Sequence, residues 1–431
     1  MTGLKRSDSI QISELTCRKD AKLTEITSLQ NILSPIRRAP LEILSEIFEL
    51  SCLPKDGVFR AACKVMRHSL ILTAVCAAWR KAAHSTPRIW STICLVINDN
   101  NKGLEKDWVV DWIIRSQSFP LDLYLDFRAV DDDLAHRTLE HILHSCERIR
   151  LFDLVGYAQT FLPLYRLPCS SLPLLEEVSL DLEYNNNDDD SFPTFSRLLP
   201  NTKVFLGSPK LQHVKIWEPW FSSSMLEVLT IPAGQLTSLQ ITFLSYPDYD
   251  LSQSVYVDVL SSCQNLNDLQ FIHEDFQEPC IGFSSKLSIT LPLLRSLHVS
   301  CMKFAGDGAS NLLHCLTAPL LEDLTLCWAG QDLHNLSIDV TSFQNRSATA
   351  RLLSLTVEFR FAPARELFAE NLVAILGFFP TINSLSLRTS YVLSLDIDIT
   401  HYSEPWFTPN QVTSFLLNSQ NSISQSNILR T

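Results

Sequence analysis

Glycine is scarce in this chain: 11 of 431 residues. Phosphate-cradling loops and sharp nucleophile turns are made of bare backbone, so this composition leaves little material for either. Long apolar runs are also missing. No stretch reaches the roughly 18 apolar residues a membrane-spanning helix needs. The opening, Met1 to Asp20, is charged and polar rather than a basic end followed by an apolar core. These absences argue against a membrane span and a secretory leader, so a cytoplasmic or nuclear chain is expected. The sequons at Asn335-Leu336-Ser337 and Asn345-Arg346-Ser347 then carry little meaning. The 12 cysteines run from Cys17 to Cys327 without one Cys-x-x-Cys pair, and many sit in apolar runs, as Cys76 and Cys94 do. Reduced, buried thiols explain them better than disulfides or zinc, for which His141, His144 and Cys146 form only half a ligand set.

Charge is distributed unevenly. Residues 1–95 hold 14 Lys and Arg against 8 Asp and Glu, leaving 21 against 39 for the remainder of a chain with net charge -12. The long acidic part is a poor match for nucleic acid, whose phosphates need clustered cations. At 46% hydrophobic content, 431 residues bury more apolar surface than one compact core accommodates, so several units or an elongated array is expected.

Residues 1–33 are a polar lead-in, with a short amphipathic helix expected over Leu23, Ile26, Leu29 and Leu33. From Pro40, the spacing of Leu41, Leu44, Ile47 and Phe48 predicts a helix with these four on one face and the proline at an early helical position. Leu70 to Ala83 predicts a second, with Leu72, Val75, Cys76 and Trp79 on a stripe, stopped at Pro87 before Ile89 and Trp90.

Beyond Trp90 the pattern apolar-x-x-apolar-x-apolar recurs. Clear copies begin at Leu175, Leu211, Leu236, Leu266, Leu294, Leu321, Leu352 and Ile382, at offsets of 36, 25, 30, 28, 27, 31 and 30. Weaker copies begin at Cys146, Ser118 and Trp90. A match at Leu226 breaks the period and leaves the register over 200–245 irregular. Each period is expected to give one short strand with alternate aliphatics inward, then a return segment, so that stacked periods form a leucine-rich solenoid. Helical spacing marks Leu134 to Cys146, Ser254 to Cys263, Ala309 to Leu316 and Glu366 to Phe379 as helical returns. Asn185 to Asp190 is expected to be a solvated loop, and residues 410–431, rich in Ser, Asn and Gln, a cap or disordered tail.

Three segments in order carry a family resemblance: Ser34-Pro35-Ile36-Arg37-Arg38-Ala39-Pro40-Leu41-Glu42-Ile43-Leu44, then Val75-Cys76 with Trp79-Arg80, then Ser85-Thr86-Pro87-Arg88-Ile89-Trp90. Trp112-Ile113-Ile114-Arg115-Ser116 and Pro120-Leu121-Asp122-Leu123-Tyr124-Leu125 extend it. The chain resembles the F-box and leucine-rich-repeat proteins abundant in mushroom-forming fungi. The resemblance implies an α/β chain: a small all-α F-box-like module at 34–92, then a leucine-rich-repeat solenoid at 93–409 with parallel strands on its concave face. It further implies that Pro40, Leu41, Ile43, Leu44, Ile47, Phe48, Val75, Trp79 and Trp90 form the unit that packs on the Skp-type adaptor, and through it a cullin, in a ubiquitin ligase. The family's usual Leu-Pro-Pro is here Ala39-Pro40-Leu41, which leaves open an interaction scaffold with a degenerate F-box, working outside ubiquitination.

No nucleophile elbow, phosphate loop, metal-binding His pair or paired carboxylates emerge, so a non-catalytic chain without cofactor or metal is expected. Asp131-Asp132-Asp133 directly precedes a predicted helix, where acidic groups favour the positive end of the helix dipole. An unidentified target protein is expected on the strand face. There, by alternation, Tyr124, Arg150, Trp217, His298, Glu358 and Arg388 point outward; Trp217, in the irregular stretch, has core as its alternative.

Overall fold

The computed structural model describes residues 2–33, 35–98, 107–130, 132–183, 202–218, 224–243, 253–273, 283–284, 287–301, 309–310, 312–328, 334–348, 352–359, 376–377, 379, 381–389 and 394–398. The chain is mixed α/β and divides into two compact units, Met1–Cys94 with Trp112–Phe119, and Leu95–Asp111 with Pro120–Thr431.

The first unit is helical. α1 (Thr2–Leu33) covers the whole lead-in, longer than the short helix expected from its last apolar positions. Ion pairs one turn apart, Glu14 with Arg18 at 3.8 Å and Lys22 with Glu25 at 2.6 Å, each add a few tenths of a kcal/mol at about 0.2–0.5. α2 (Leu41–Ser51) starts one residue after the expected proline position: Pro40 is the cap, and its carbonyl accepts the Leu44 amide at 3.1 Å. The predicted single helix over Leu70 to Ala83 is two, α3 (Val65–Val75) and α4 (Ala77–His84). Cys76 between them is extended, at φ -163° and ψ 171°, and its sulfur accepts the Trp79 amide at 3.5 Å. The apolar stripe is continuous, but a thiol in the cap position satisfies an otherwise orphaned helix-start amide and lets the chain turn.

Leu44, Phe48 and Cys52, four residues apart, form the buried stripe of α2. Phe48 packs on Trp79 with ring centroids 5.1 Å apart. Ser69 is fully buried and its hydroxyl reaches both the Val65 and Ile89 carbonyls at 3.2 Å. Thr86, also buried, donates to the Ala82 carbonyl and is hydrogen-bonded to the Ser45 hydroxyl, each at 2.8 Å. Trp90 is closed in: its indole N–H donates to the Ala83 carbonyl at 2.8 Å, Trp112 packs edge-on at 4.6 Å and the Arg115 guanidinium lies 4.8 Å over the ring. The segment Trp112–Phe119 therefore belongs to this unit, although it lies beyond the expected boundary at residue 92.

The second unit is built on a sheet. Its strands are β1 (Thr92–Asn98), β2 (Leu121–Ala129), β3 (Ile149–Tyr157), β4 (Glu177–Glu183), β5 (His213–Glu218), β6 (Ser238–Phe243), β7 (Asp268–His273), β8 (Phe283–Ser284), β9 (Ile289–Thr290), β10 (Ser296–Cys301), β11 (Ala309–Ser310), β12 (Leu316–Thr317), β13 (Asp323–Trp328), β14 (Ser354–Phe359), β15 (Ser384–Thr389) and β16 (Ser394–Asp398). Twelve of them form one sheet in the order β1-β2-β3-β4-β5-β6-β7-β10-β13-β14-β15-β16, while β8 pairs with β11 and β9 with β12 separately. Every pairing from β2 to β15 is parallel, and β16 returns antiparallel on β15.

The eight clear sequence copies are neighbours in register. Val178, Val214, Leu239, Leu269, Leu297, Leu324, Leu355 and Leu385 stand side by side, and Leu180, Ile216, Ile241, Phe271, Val299, Leu326, Val357 and Leu387 form the next row. All sixteen are buried. At about 1.5–3 kcal/mol per buried side chain, these rows supply the core that no single period could. Backbone pairing begins ahead of the strands, as the amides of Gln212, Thr237, Asn267, Arg295, Glu322, Leu353 and Asn383 each bond the carbonyl of the equivalent residue one period back.

Weaker copies fare differently. Leu121 does pair with Ile149, but a register shift follows it, so Phe152 and Leu154, not Ile149 and Leu151, oppose Val178 and Leu180. The copy at Cys146 is thus displaced by three residues. The match at Leu226 falls on a short helix, Met225–Val228, outside the sheet. β5 and β6, by contrast, are regular. Among the predicted returns, the helices Asp132–Leu143 and Gln253–Ser262 are present. Among the described residues of Ala309 to Leu316 a 3-10 turn at Leu312–His314 stands between two-residue strands in place of a helix. The expected loop at Asn185 to Asp190, most of the expected helix Glu366 to Phe379, and the tail from Asn410 lie outside the described residues.

Candidate functional site

Two surfaces stand out, one in each unit. In the first unit, the buried stripe of α2 leaves its other apolar residues outside. Leu41, Ile43 and Ile47 are 41%, 47% and 39% exposed, and Val75 on α3 is 53% exposed. Pro40 is exposed as well. Leu44, Phe48 and Trp90, by contrast, are interior and cannot touch a partner without opening the unit; Trp79 is half-covered by Phe48. The expected face of Leu41, Leu44, Ile47 and Phe48 is therefore split between core and surface. Leu50, Leu53, Leu70 and Ile71, at least half exposed, extend the apolar surface without having been singled out from sequence. For Leu50 the signal was present: with Leu44 and Phe48 committed to one stripe, Leu50 shares the other face of α2 with Ile43 and Ile47, at i, i+4 and i+7. Exposed aliphatics grouped in this way mark interaction sites more often than chance surface.

In the second unit the residues on the sheet face opposite the aliphatic core lie in rows between the core ones, and Ser179, Thr356 and Ser386 among them are themselves buried. One row reads Tyr124, Asp153, Ser179, Lys215, Gln240, Gln270, His298, Thr325, Thr356 and Ser386. Tyr124 and His298 sit in it, six strands apart in the sheet and half-buried. The next row holds Trp217, Glu358 and Arg388. Trp217 faces outward and is half-buried, so its core alternative does not hold. Arg388 and Glu358 are cross-strand partners at 3.4 Å. Arg150 falls at the register shift, where its guanidinium grips Asp122 through two bonds at 3.0 and 2.5 Å. Of the six residues expected outward, the sheet gathers Trp217, Glu358 and Arg388 in one row, Tyr124 and His298 in another, and sets Arg150 apart.

One buried polar cluster escaped the sequence reading. Glu218, at the end of β5, is buried; Ser224 Oγ donates to it at 2.5 Å and the Met225 amide at 2.8 Å. Burial pushes its carboxyl up to about 7, against these hydrogen bonds. Tyr256, equally buried, has its phenol raised well above the ordinary value by burial and by Glu218. The carboxyl group fastens the strand end to the Met225–Val228 turn.

Among the described residues no group of three or more His, Cys, Asp or Glu side chains is placed to hold a metal ion, and no helix is long and apolar enough to cross a membrane. Cys52, Cys263 and Cys315 are buried, and burial pushes their thiols up, the latter two to about 12 and about 11, which makes them poor nucleophiles. No protein-family model matches the chain, and no curated protein matches it either.

Proposed function

We propose that the chain is the substrate-recognition subunit of a Skp-cullin-F-box type ubiquitin ligase, acting in the cytoplasm or nucleus. Its first unit is an F-box that docks the Skp-type adaptor, its second a leucine-rich-repeat solenoid that holds a target protein, and the chemistry belongs to other subunits. The observation that carries this reading is the exposed aliphatic surface of Leu41, Ile43, Ile47 and Val75 standing over a closed core of Leu44, Phe48 and Trp90. A surface that greasy is disfavoured in water, and anchoring by a few apolar groups is how such interfaces are held. The in-register aliphatic rows support the solenoid half of the reading, since they give each period one strand and one return.

Co-purification with a Skp-type adaptor tests it. The wild-type chain is expected to capture the adaptor, and Leu41→Asp with Ile43→Asp to lose it while keeping the wild-type melting temperature, because both side chains are already in solvent. Leu44 is unsuitable for this purpose, since its replacement disturbs the core. Capture that survives the double substitution, or a wild type that captures nothing, overturns the docking claim and favours the scaffold with a degenerate F-box.

A further inference from the structure

The outward positions of β3 to β7 combine two properties. Val155, Trp217 and Ile272 share one row on alternate strands, with Asp181 and Thr242 between them, so half-buried apolar side chains recur every second strand, about 10 Å apart. Around them the described residues of these strands place Asp153, Glu177, Asp181, Glu183 and Asp268 against two cations, Lys215 and, at the start of β3, Arg150, which is held by Asp122. That lysine is occupied by Glu177 at 2.7 Å. Arg128, reaching over from β2, is divided between Asp126 at 2.7 Å and Glu183 at 2.8 Å. The chain as a whole carries 47 acidic residues against 35 basic ones, so five to two is a local excess rather than the general composition.

Asp153 makes the shortage specific. It is desolvated on the sheet, and burial raises its carboxyl above the ordinary range; a Ser179 hydrogen bond and the neighbouring Lys215 only partly oppose this. A cation brought to this point would meet a carboxylate that the protein itself leaves under-compensated.

We propose that this patch takes a cationic amphipathic segment of the target protein: apolar side chains over Val155, Trp217 and Ile272, and lysine or arginine side chains against Asp153 and its acidic neighbours. The proposal rests on the substrate-receptor reading and names the class of target that reading leaves open. A helix suits the spacing, because residues seven apart on one face are separated by roughly 10.5 Å, close to two strand spacings. An acidic segment meets like charge, and a purely apolar one leaves the carboxylates desolvated without a partner.

Fluorescence anisotropy with the full chain decides the matter, using two labelled synthetic peptides of equal length: leucine and lysine in helical spacing, and the same peptide with glutamate for lysine. The leucine-lysine peptide is expected to bind and the leucine-glutamate peptide not. Trp217→Ala and Asp153→Asn are each expected to weaken binding by about tenfold, which is about 1.4 kcal/mol. Asp323→Asn, on the same face but outside the patch, leaves it unchanged. Melting curves identify a variant that fails to fold, in which case the other carries the test. Equal binding of both peptides, wild-type affinity in Trp217→Ala and Asp153→Asn, or an equal loss in Asp323→Asn overturns the proposal. Adaptor capture measured on the same preparations separates the two claims. Its loss with peptide binding intact sinks the ligase reading alone, and capture without peptide binding sinks this proposal alone.

Discussion

The two units solve the problem of apolar surface in opposite ways. In the second unit nearly every aliphatic of the repeat is consumed by its neighbours, with Leu239, Leu269, Leu297, Leu324 and Leu355 side by side and buried. In the first unit a comparably greasy stretch closes over Leu44, Phe48, Cys52 and Trp90 and still leaves Leu41, Ile43, Ile47, Leu50, Leu70, Ile71 and Val75 in solvent. An array that adds periods can always bury one more row, whereas three short helices run out of interior. The leftover surface of the small unit is therefore the part left open to another polypeptide, and in the proposed reading the outward polar rows of the sheet discriminate between targets.

Substitutions sharpen this contrast. The largest effect is expected from Phe48→Ala in the first unit and Leu297→Ala in the second, which remove fully buried side chains and cost about 3–5 and about 2–5 kcal/mol respectively in chemical denaturation. Ile43→Ala, equally aliphatic but exposed, is expected to stay within about 0.5 kcal/mol of wild type in the same experiment. A large loss there would mean that the surface of the first unit is core after all.

Glu218 gives a pH handle on the second unit. Its native carboxyl is pushed up to about 7 from an ordinary 4.5, so the folded state holds the proton more tightly than the unfolded chain. Its contribution to stability is therefore complete below about 4.5 and is lost as pH rises through about 7, a fall of about 3 kcal/mol at most. Glu218→Gln is expected to flatten the decline between pH 5 and pH 8, because the amide stays neutral throughout. An unchanged pH profile of the urea midpoint would contradict the placement of this side chain. A small effect is also expected from Arg388→Ala, which breaks an exposed pair with Glu358 and changes stability by less than about 1 kcal/mol in the urea midpoint.

How much of this could be read from the sequence depended on how each side chain is constrained. The eight clear copies aligned correctly because a strand with one buried face fixes its register: a slip by one residue turns every leucine outward. The copy at Cys146 went astray because Ile149, Leu151, Phe152 and Leu154 are all apolar, and the shift near Arg150 is a local irregularity that no hydrophobic pattern announces. In the first unit the helix of Leu41 to Phe48 was legible, but its inward side was not: with Leu41, Ile43, Leu44, Ile47 and Phe48 all apolar, only packing against Trp79 and Ser69 selects Leu44, Phe48 and Cys52. The break at Cys76 hides inside a continuous apolar stripe. The membership of Trp112 to Phe119 depends on Trp90 meeting Trp112, a contact made across 22 residues of sequence that local spacing does not encode. Outward positions such as Trp217 and His298 needed only strand alternation, whereas the company Trp217 keeps, Asp181 on one side and Thr242 on the other, follows from register alone.

Amide deuterium exchange of the full chain, alone and with a Skp-type adaptor, bears most directly on the proposed division of labour. Added protection is expected within Leu41–Ser51 and Val65–Val75, with the amides of β4 to β15 unchanged. Exchange in those two helices that ignores the adaptor, or protection falling on the sheet instead, would contradict the account.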